Sequence, residues 1–372
     1  MESSRYSHKR AKVNLLLRSP APESDVSEIS APKVLEDLIQ HAEQVGASDV
    51  HLQMRDGIAH LAFRLDGLVT PVSELSAGVA ERVFGRIKFL AKLKTYQDSL
   101  PQDGRIDKAE LGARGDIRVA TYPTVTGEKI VLRLFSDALS PSLRELGLPD
   151  SARVQLELFL RQSAGLLLLT GPAGSGKTTT IYACLRHLTE TGTRHIITIE
   201  DPVEQILPGI MQTEINDARG LTFAKAARHL LRQDPQVLVL GEIRDDETAN
   251  LAVRAALTGH LVISTLHAGS CRGVVERLQV MCADRSAVYT TLGLVLNQRL
   301  VRRLCAKCRG EGCDDCVRTG YKGRLPLVEW VRFENAQSVA SAEPAVPLAA
   351  AARELIAQRL TDDAEVRRTI GE

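Results

Sequence analysis

The stretch GLLLLTGPAGSGKTTTIYA, residues 165 to 183, constrains this chain more than any other. Its four consecutive leucines, Leu166 to Leu169, read as a short strand buried on both faces, which calls for parallel neighbours in a sheet covered by helices. Gly171, Pro172, Ala173, Gly174, Ser175, Gly176, Lys177 and Thr178 then fit the pattern G-x-x-x-x-G-K-[ST], and a helical stretch begins around Thr179. Strand, loop and helix in that order are the context this pattern requires. The glycines let backbone N–H groups turn inward onto phosphate oxygens, and the helix adds its positive N-terminus. Lys177 reaches the terminal phosphates, and Thr178 offers a ligand for Mg2+. A nucleoside triphosphate such as ATP is therefore expected, but the loop alone does not say what the nucleotide is for.

Composition narrows the choices. With 372 residues, 44% of them hydrophobic, the chain has room for a large core and a second domain. Lysine and arginine total 47 against 46 acidic residues, and 4% of residues are aromatic, so neither a basic field nor a stacking surface argues for a nucleic-acid motor. No nucleic acid is expected as a partner. No run approaches the roughly 20 apolar residues of a membrane-spanning helix. The polar start MESSRYSHKR does not have the shape of a secretory signal, so a cytoplasmic protein is expected.

Along the chain, residues 1–30 have the Ser, Pro and charge content of a flexible tail. From Pro32 a helical face of Val34, Leu35, Leu38, Ile39 and Ala42 runs to Gly46, then DVHLQM and IAHLAFRLDGLVTPV alternate like strands with Asp66-Gly67 as a hairpin turn signal, and a second helix is expected over residues 79 to 94. The runs GDIRVATYP and GEKIVLRLF alternate as further strands, and PQDGRID between them and the second helix reads as a turn carrying Arg105. Residues 31–138 thus read as a small α+β domain with an antiparallel sheet, and residues 139–302 as an α/β nucleotide domain. A cysteine element is expected over 303–330 and a helical segment over 331–372.

Three strand-like runs, IITIEDPVE, VLVLGEIRD and LVISTLH, end in polar residues. Ligands of open parallel sheets bind beyond the carboxyl ends of the strands, so Glu200, Asp201, Glu204, Glu242 and His267 are expected to converge on the loop. Glu242 suits a magnesium partner or the base that orients water, and Glu204 competes for the base. His267 reads as a phosphate sensor or as a loop anchor, and Asp201, before Pro202, as a ligand or a turn cap.

Cys305 and Cys308 form one C-x-x-C pair and Cys313 and Cys316 another, four residues apart. Four thiolates so spaced suit tetrahedral Zn2+ in a closed structural site, with a redox pair or unrelated thiols as the alternatives. Cys184, Cys271 and Cys282 read as small core residues.

Together, GPAGSGKTTTIYA, ITIEDPVEQILPGIMQTEIN, the run from GLTFAKAARHLLRQDPQVLVLGEIRDDET to HLVISTLHAG, and QRLVRRLC resemble the ATPase family of type II secretion and type IV pilus assembly, over roughly residues 32 to 330. The resemblance implies an α/β fold. It consists of a RecA-like P-loop domain, a small α+β, PAS-like domain before it, and a four-cysteine metal element. It implies a cytoplasmic homo-hexamer, peripheral on the inner membrane, that works with an inner-membrane platform protein and hydrolyses ATP to extrude a pilus or pseudopilus. Carried over, it places Lys177 and Thr178 on phosphate and magnesium. Glu204 becomes the catalytic carboxylate and Glu242 the group at the metal, with those two roles open to exchange. His260 and His267 fall in the histidine box. A retraction or conjugation-type ATPase and a nucleotide-gated adaptor are the alternatives. Two departures stand out: the insert between the cysteine pairs is shorter than usual in the family, and only about thirty residues precede the small domain, so recruitment is expected to differ from that of larger members or to rely on the platform protein.

Alternation puts Arg118 on the face opposite Ile117, Val119 and Thr121, and Arg133 on the face opposite Ile130, Leu132 and Leu134. Read alone these are solvated charges. The resemblance implies that arginines at these motifs reach the nucleotide and stabilise developing charge. Arg228, Arg232, Arg244 and Arg277 fall in family motifs too and are expected to support the site and the subunit interface.

Overall fold

A computed structural model of the chain describes residues 30–135, 140–334, 339 and 341–371. Apart from Ser30, the expected tail lies outside the described residues, as do residues 136–139 of the linker region. The chain divides into two compact units, the first containing residues 30–135 together with Cys305–Gly323 and the second the remainder.

In the first unit, helix α1 (Ala31–Gln44) carries a proline in its first turn and buries Val34, Leu35, Leu38, Ile39 and Ala42 along one stripe. Strands β1 (Asp49–Arg55), β2 (Ile58–Leu65) and β3 (Leu68–Leu75) precede helix α2 (Ala77–Leu90), and β4 (Gln102–Ile106), β5 (Ile117–Thr124) and β6 (Gly127–Leu134) follow it. They form one sheet in the order β3-β2-β1-β6-β5-β4, with antiparallel pairings. Val50, Leu52, Leu61, Phe63, Val119 and Leu132 share a core with α1 and α2. Asp66 and Gly67 both adopt positive φ, 48° and 89°, in the turn between β2 and β3.

One expectation is corrected here. Residues 102–106, within the stretch expected to be a turn, form the edge strand β4. Gly104 serves close approach instead of a turn, since a Cβ there would lie 2.6 Å from the Ala91 carbonyl oxygen. The four-cysteine segment belongs to this unit: Val317 packs in the sheet's core, and the Gly323 N–H donates to Asp66 Oδ2 at 2.9 Å.

In the second unit, α3 (Asp150–Leu160), β7 (Gly165–Thr170), α4 (Lys177–Thr191), β8 (Ile196–Glu200) and β9 (Met211–Glu214) are followed by α5 (Phe223–Leu230), β10 (Val237–Ile243), α6 (Asp246–Leu257) and β11 (Leu261–Leu266). Then come α7 (Cys271–Met281), α8 (Arg285–Thr291), β12 (Leu292–Leu304), β13 (Tyr321–Arg332), α9 (Leu348–Ala357) and α10 (Asp363–Ile370). The sheet order is β13-β12-β7-β11-β10-β8-β9, and β12, β7, β11, β10, β8 and β9 pair in parallel. Leu166 and Leu168 enter one core and Leu167 and Leu169 the other. Leu238 and Leu240 are divided in the same way from Val237 and Val239, so each central strand is buried on both faces. Each such side chain contributes roughly 1.5–3 kcal/mol. No helix among the described residues is long and apolar enough to cross a membrane.

The carboxyl-terminal helices close on β12 through Glu365, whose side chain is fully buried. It accepts hydrogen bonds from the Arg302 N–H at 2.9 Å and the Arg302 guanidinium at 2.8 Å, and pairs with Arg368. Burial alone would raise its carboxyl, but the Arg368 and Arg302 bonds outweigh that and hold it at about 2, below the ordinary 4.5. A depressed carboxylate stabilises the fold above its unfolded pKa and loses that contribution as pH falls through the folded value. Glu365→Gln is therefore expected to lower stability in urea at pH 7 by on the order of 3 kcal/mol. The difference from wild type should shrink as pH falls from 4.5 towards 2, and a pH-independent difference would contradict it.

Candidate functional site

The phosphate loop joins β7 to α4 and is braced from behind by β12. Gly171, Gly174 and Gly176 have φ of 137°, 74° and 88°, a region that favours glycine. A Cβ on Gly171 would lie 2.2 Å from the Gln298 carbonyl oxygen, and one on Gly176 would lie 2.8 Å from Gln298 Nε2. The Gln298 side chain also accepts the Thr180 hydroxyl at 3.0 Å. Lys177 Nζ donates to the carbonyls of Gly171 and Pro172, each at 2.9 Å. Burial holds the Lys177 ammonium below its usual pKa, partly opposed by Glu242. Among the described residues the buried Ser175 hydroxyl finds no hydrogen-bond partner. A half-buried cation on neutral carbonyls, an unsatisfied hydroxyl and a helix N-terminus suit a polyphosphate.

Beyond the ends of β8, β10 and β11, one cleft is lined by Lys177, Thr178, Glu200, Asp201, Glu204, Glu242 and His267, together with Tyr182 and Phe223. The convergence expected of the strand ends is thus present. His267 Nε2 lies 3.6 Å from Glu242, whose carboxylate also pairs with Arg244. Arg244 lies 3.4 Å from Asp201 and over the Phe223 ring, and the Arg277 guanidinium donates to the His267 carbonyl at 2.8 Å. Two expected residues stand differently. Glu200 is buried and engaged by Tyr182, Thr198 and Gln212. His260 sits at the start of β11, its Nδ1 2.9 Å from the Ala255 carbonyl. The six residues of β11, a span of about 20 Å, separate it from His267.

In the first unit, strand register sets Arg105 opposite Arg118, Arg118 opposite Arg133, Arg133 opposite Asp49, and Asp49 opposite Arg64. Like charges facing each other across strands are unfavourable, so this row needs anions. Asp49, 3% exposed, meets Arg133 at 3.0 Å and Arg64 at 3.1 Å and accepts the Ser48 hydroxyl at 2.8 Å. Burial would raise its carboxyl, but these partners hold it below the ordinary value. Arg105 pairs with Asp116, and exposed Arg118 lies over the Phe135 ring. Sequence reasoning missed Asp49 and Arg64. Their relation to Arg133 is a cross-strand one, and only the position of Asp49 at the head of a strand hinted at it.

Cys305, Cys308, Cys313 and Cys316 bring their sulfurs within 4.8 Å of one another. Separations of 3.9, 3.7 and 3.8 Å match the roughly 3.8 Å expected between thiolates bonded tetrahedrally at about 2.3 Å to one ion. The N–H groups of Gly312, Cys313 and Gly320 point at these sulfurs at 3.2, 3.2 and 3.3 Å, as suits thiolate ligands. Cys184, Cys271 and Cys282 are core residues.

Residues 24–369 match the model of the family described as type II/IV secretion system protein. The Haemophilus influenzae "protein transport protein HofB homolog" is 39% identical over 342 residues, spanning 91% of this chain and 73% of that protein. The type IV pilus assembly ATPase TfpB of Acinetobacter baylyi is 37% identical over 349 residues, spanning 86% and 60%. In fold, the chain is similar to the Legionella pneumophila ATPase DotB, with a TM-score of 0.73 at 21% identity over 96% of this chain and 99% of that one.

The contact between Gly171 and β12 has a direct consequence. Gly171→Ala is expected to weaken binding of a fluorescent ATP analogue by at least about a hundredfold, since neither backbone can yield without displacing the loop. Retained affinity would show that the brace is not needed.

Proposed function

The chain belongs to the type II/IV secretion system protein family, and we propose on that premise that it works as a homo-hexameric motor, converting ATP hydrolysis into extrusion of a pilus or pseudopilus. Its class, a secretion or pilus assembly ATPase, follows from the family. The observation that supports the motor reading best is the meeting of Lys177, Thr178, Glu204, Glu242 and His267 in one cleft at the strand ends.

In this reading, the loop N–H groups and Lys177 hold the phosphates, and Thr178 and Glu242 hold magnesium, which supplies positive charge to phosphate oxygens when bound. Glu204 orients the attacking water and accepts its proton as the bond between the terminal phosphorus and the bridging oxygen breaks, leaving ADP and phosphate. His267, beside Glu242, senses the terminal phosphate. Arg118 and Arg133 supply cationic stabilisation to the same reaction, with Asp49 setting the aim of Arg133. The four cysteines hold structural zinc. Docking at the inner membrane is through a platform protein.

Two experiments test this. ATPase rate per subunit should rise with protein concentration in the wild type and fall by at least about a hundredfold in Glu204→Ala, Glu242→Ala and Arg118→Ala. Concentration-independent turnover that survives Arg118→Ala would point to a simple switch. Purified protein should also carry about one zinc per chain, and Cys308→Ser should lose it and lower the melting temperature of the first unit, whose core includes Val317. A metal-free wild type of unchanged stability would remove zinc from the account.

A further inference from the structure

Tyr182 lies on α4, four residues after Thr178 and so on the same face of the helix. It is 3% exposed. Its hydroxyl donates to the Glu200 carboxylate and accepts the backbone N–H groups of Glu204 and Gln205, each at 3.2 Å. One proton and two lone pairs are thereby all used. The other Glu200 oxygen accepts Thr198 and Gln212, and Gln212 also donates to the Gln205 carbonyl at 3.0 Å and accepts the Leu207 N–H at 2.7 Å. The Val203 N–H is held by Glu214 at 3.0 Å. Gln212 and Glu214 both belong to β9, so they tie the turn at 203–207 to the sheet. Tyr182 ties it to the phosphate helix. Burial and the neighbouring Glu200 push the phenol well above its ordinary value of 10, so the hydroxyl keeps its proton.

We propose that Tyr182 is a positioning residue for ATP hydrolysis, its hydroxyl fixing the backbone at Glu204 relative to Thr178 and Lys177. The proposal rests on the reading of Glu204 as the carboxylate that orients water. A phenylalanine would fill the same space in the core and remove the hydroxyl that the two amides and the Glu200 carboxylate bond. The ring serves packing, and the hydroxyl serves the register between two halves of the active site. A displacement of about 1 Å in a catalytic group is enough to cost roughly a hundredfold in rate. Phosphate binding itself uses the loop N–H groups and Lys177, which Tyr182 does not touch, so affinity should be spared.

The test compares wild type, Tyr182→Phe, Glu204→Gln and the double variant as full-length protein, with kcat and KM for ATP measured at one protein concentration. Tyr182→Phe is expected to lower kcat roughly ten- to a hundredfold with KM changed less than about threefold. In the Glu204→Gln background its effect should fall to less than about twofold, because the group it positions is already gone. Hydrogen exchange adds a readout independent of turnover: the amides of Glu204 and Gln205 should exchange faster in Tyr182→Phe, while binding of a fluorescent ATP analogue is retained. An equal loss in both backgrounds, an unchanged kcat, or unchanged exchange at these two amides would overturn the proposal. If Glu204→Gln itself keeps full kcat, the assignment of Glu204 fails instead, and exchange still decides whether Tyr182 pins the turn. Should Tyr182→Phe not fold, Glu200→Gln, which keeps an oxygen for the tyrosine, is expected to show the same non-additivity with Glu204→Gln in weaker form, and additivity would count against the proposal.

Discussion

The rest of the nucleotide unit depends on the contact of the phosphate loop with β12. The loop must turn its N–H groups towards a ligand, which leaves the other side of its backbone to be satisfied by something rigid. Gln298 on β12 packs against that side: its carbonyl fills the place where Gly171 would carry a side chain, and its amide lies against Gly176 and accepts the Thr180 hydroxyl. Nearby, Arg299 donates to Asn297 Oδ1 at 2.6 Å and to the Gly269 carbonyl at 3.1 Å, joining the strand to the loop after His267. The loop is thus held by a second part of the chain, more than a hundred residues away, and both the glycines and the buried Gln298 follow from one close approach.

The same economy governs the charges. Cations and carboxylates in the cleft are close enough to neutralise one another, with Arg244 between Glu242 and Asp201 and His267 on the far side of Glu242. In the first unit the cross-strand arginine row is tolerable because buried Asp49 binds two of its members. In each place a carboxylate fixes where a guanidinium points.

Much of this was legible in the chain itself because it is local. Leucine runs with charged ends marked the strands, their order placed Glu204, Glu242 and His267 together, and alternation set Arg118 and Arg133 on the polar face. What sequence reasoning missed depends on partners distant along the chain. Asp49 meets Arg133 across 84 positions, and Tyr182 meets the turn at Glu204 across 22. PQDGR has the composition of a turn, and only the proximity of Ala91 explains its glycine within a strand. His260 shares a motif with His267, yet a strand with its ends at opposite sides of the sheet separates them.

The four-cysteine segment carries this reasoning one step further. Its cysteines lie between β12 and β13, both strands of the nucleotide sheet, yet Cys305–Gly323, which takes in the start of β13 at Tyr321, belongs to the other compact unit, with Val317 in that unit's core. Gln298, which braces the phosphate loop, is seven positions from Cys305 along a strand that ends at Leu304. From Leu292 to Asn297 that strand is paired in parallel with β7, and the four cysteines that follow bring their sulfurs within 4.8 Å of one another. The chain therefore passes from the strand that backs the phosphate loop to the first cysteine within a few residues.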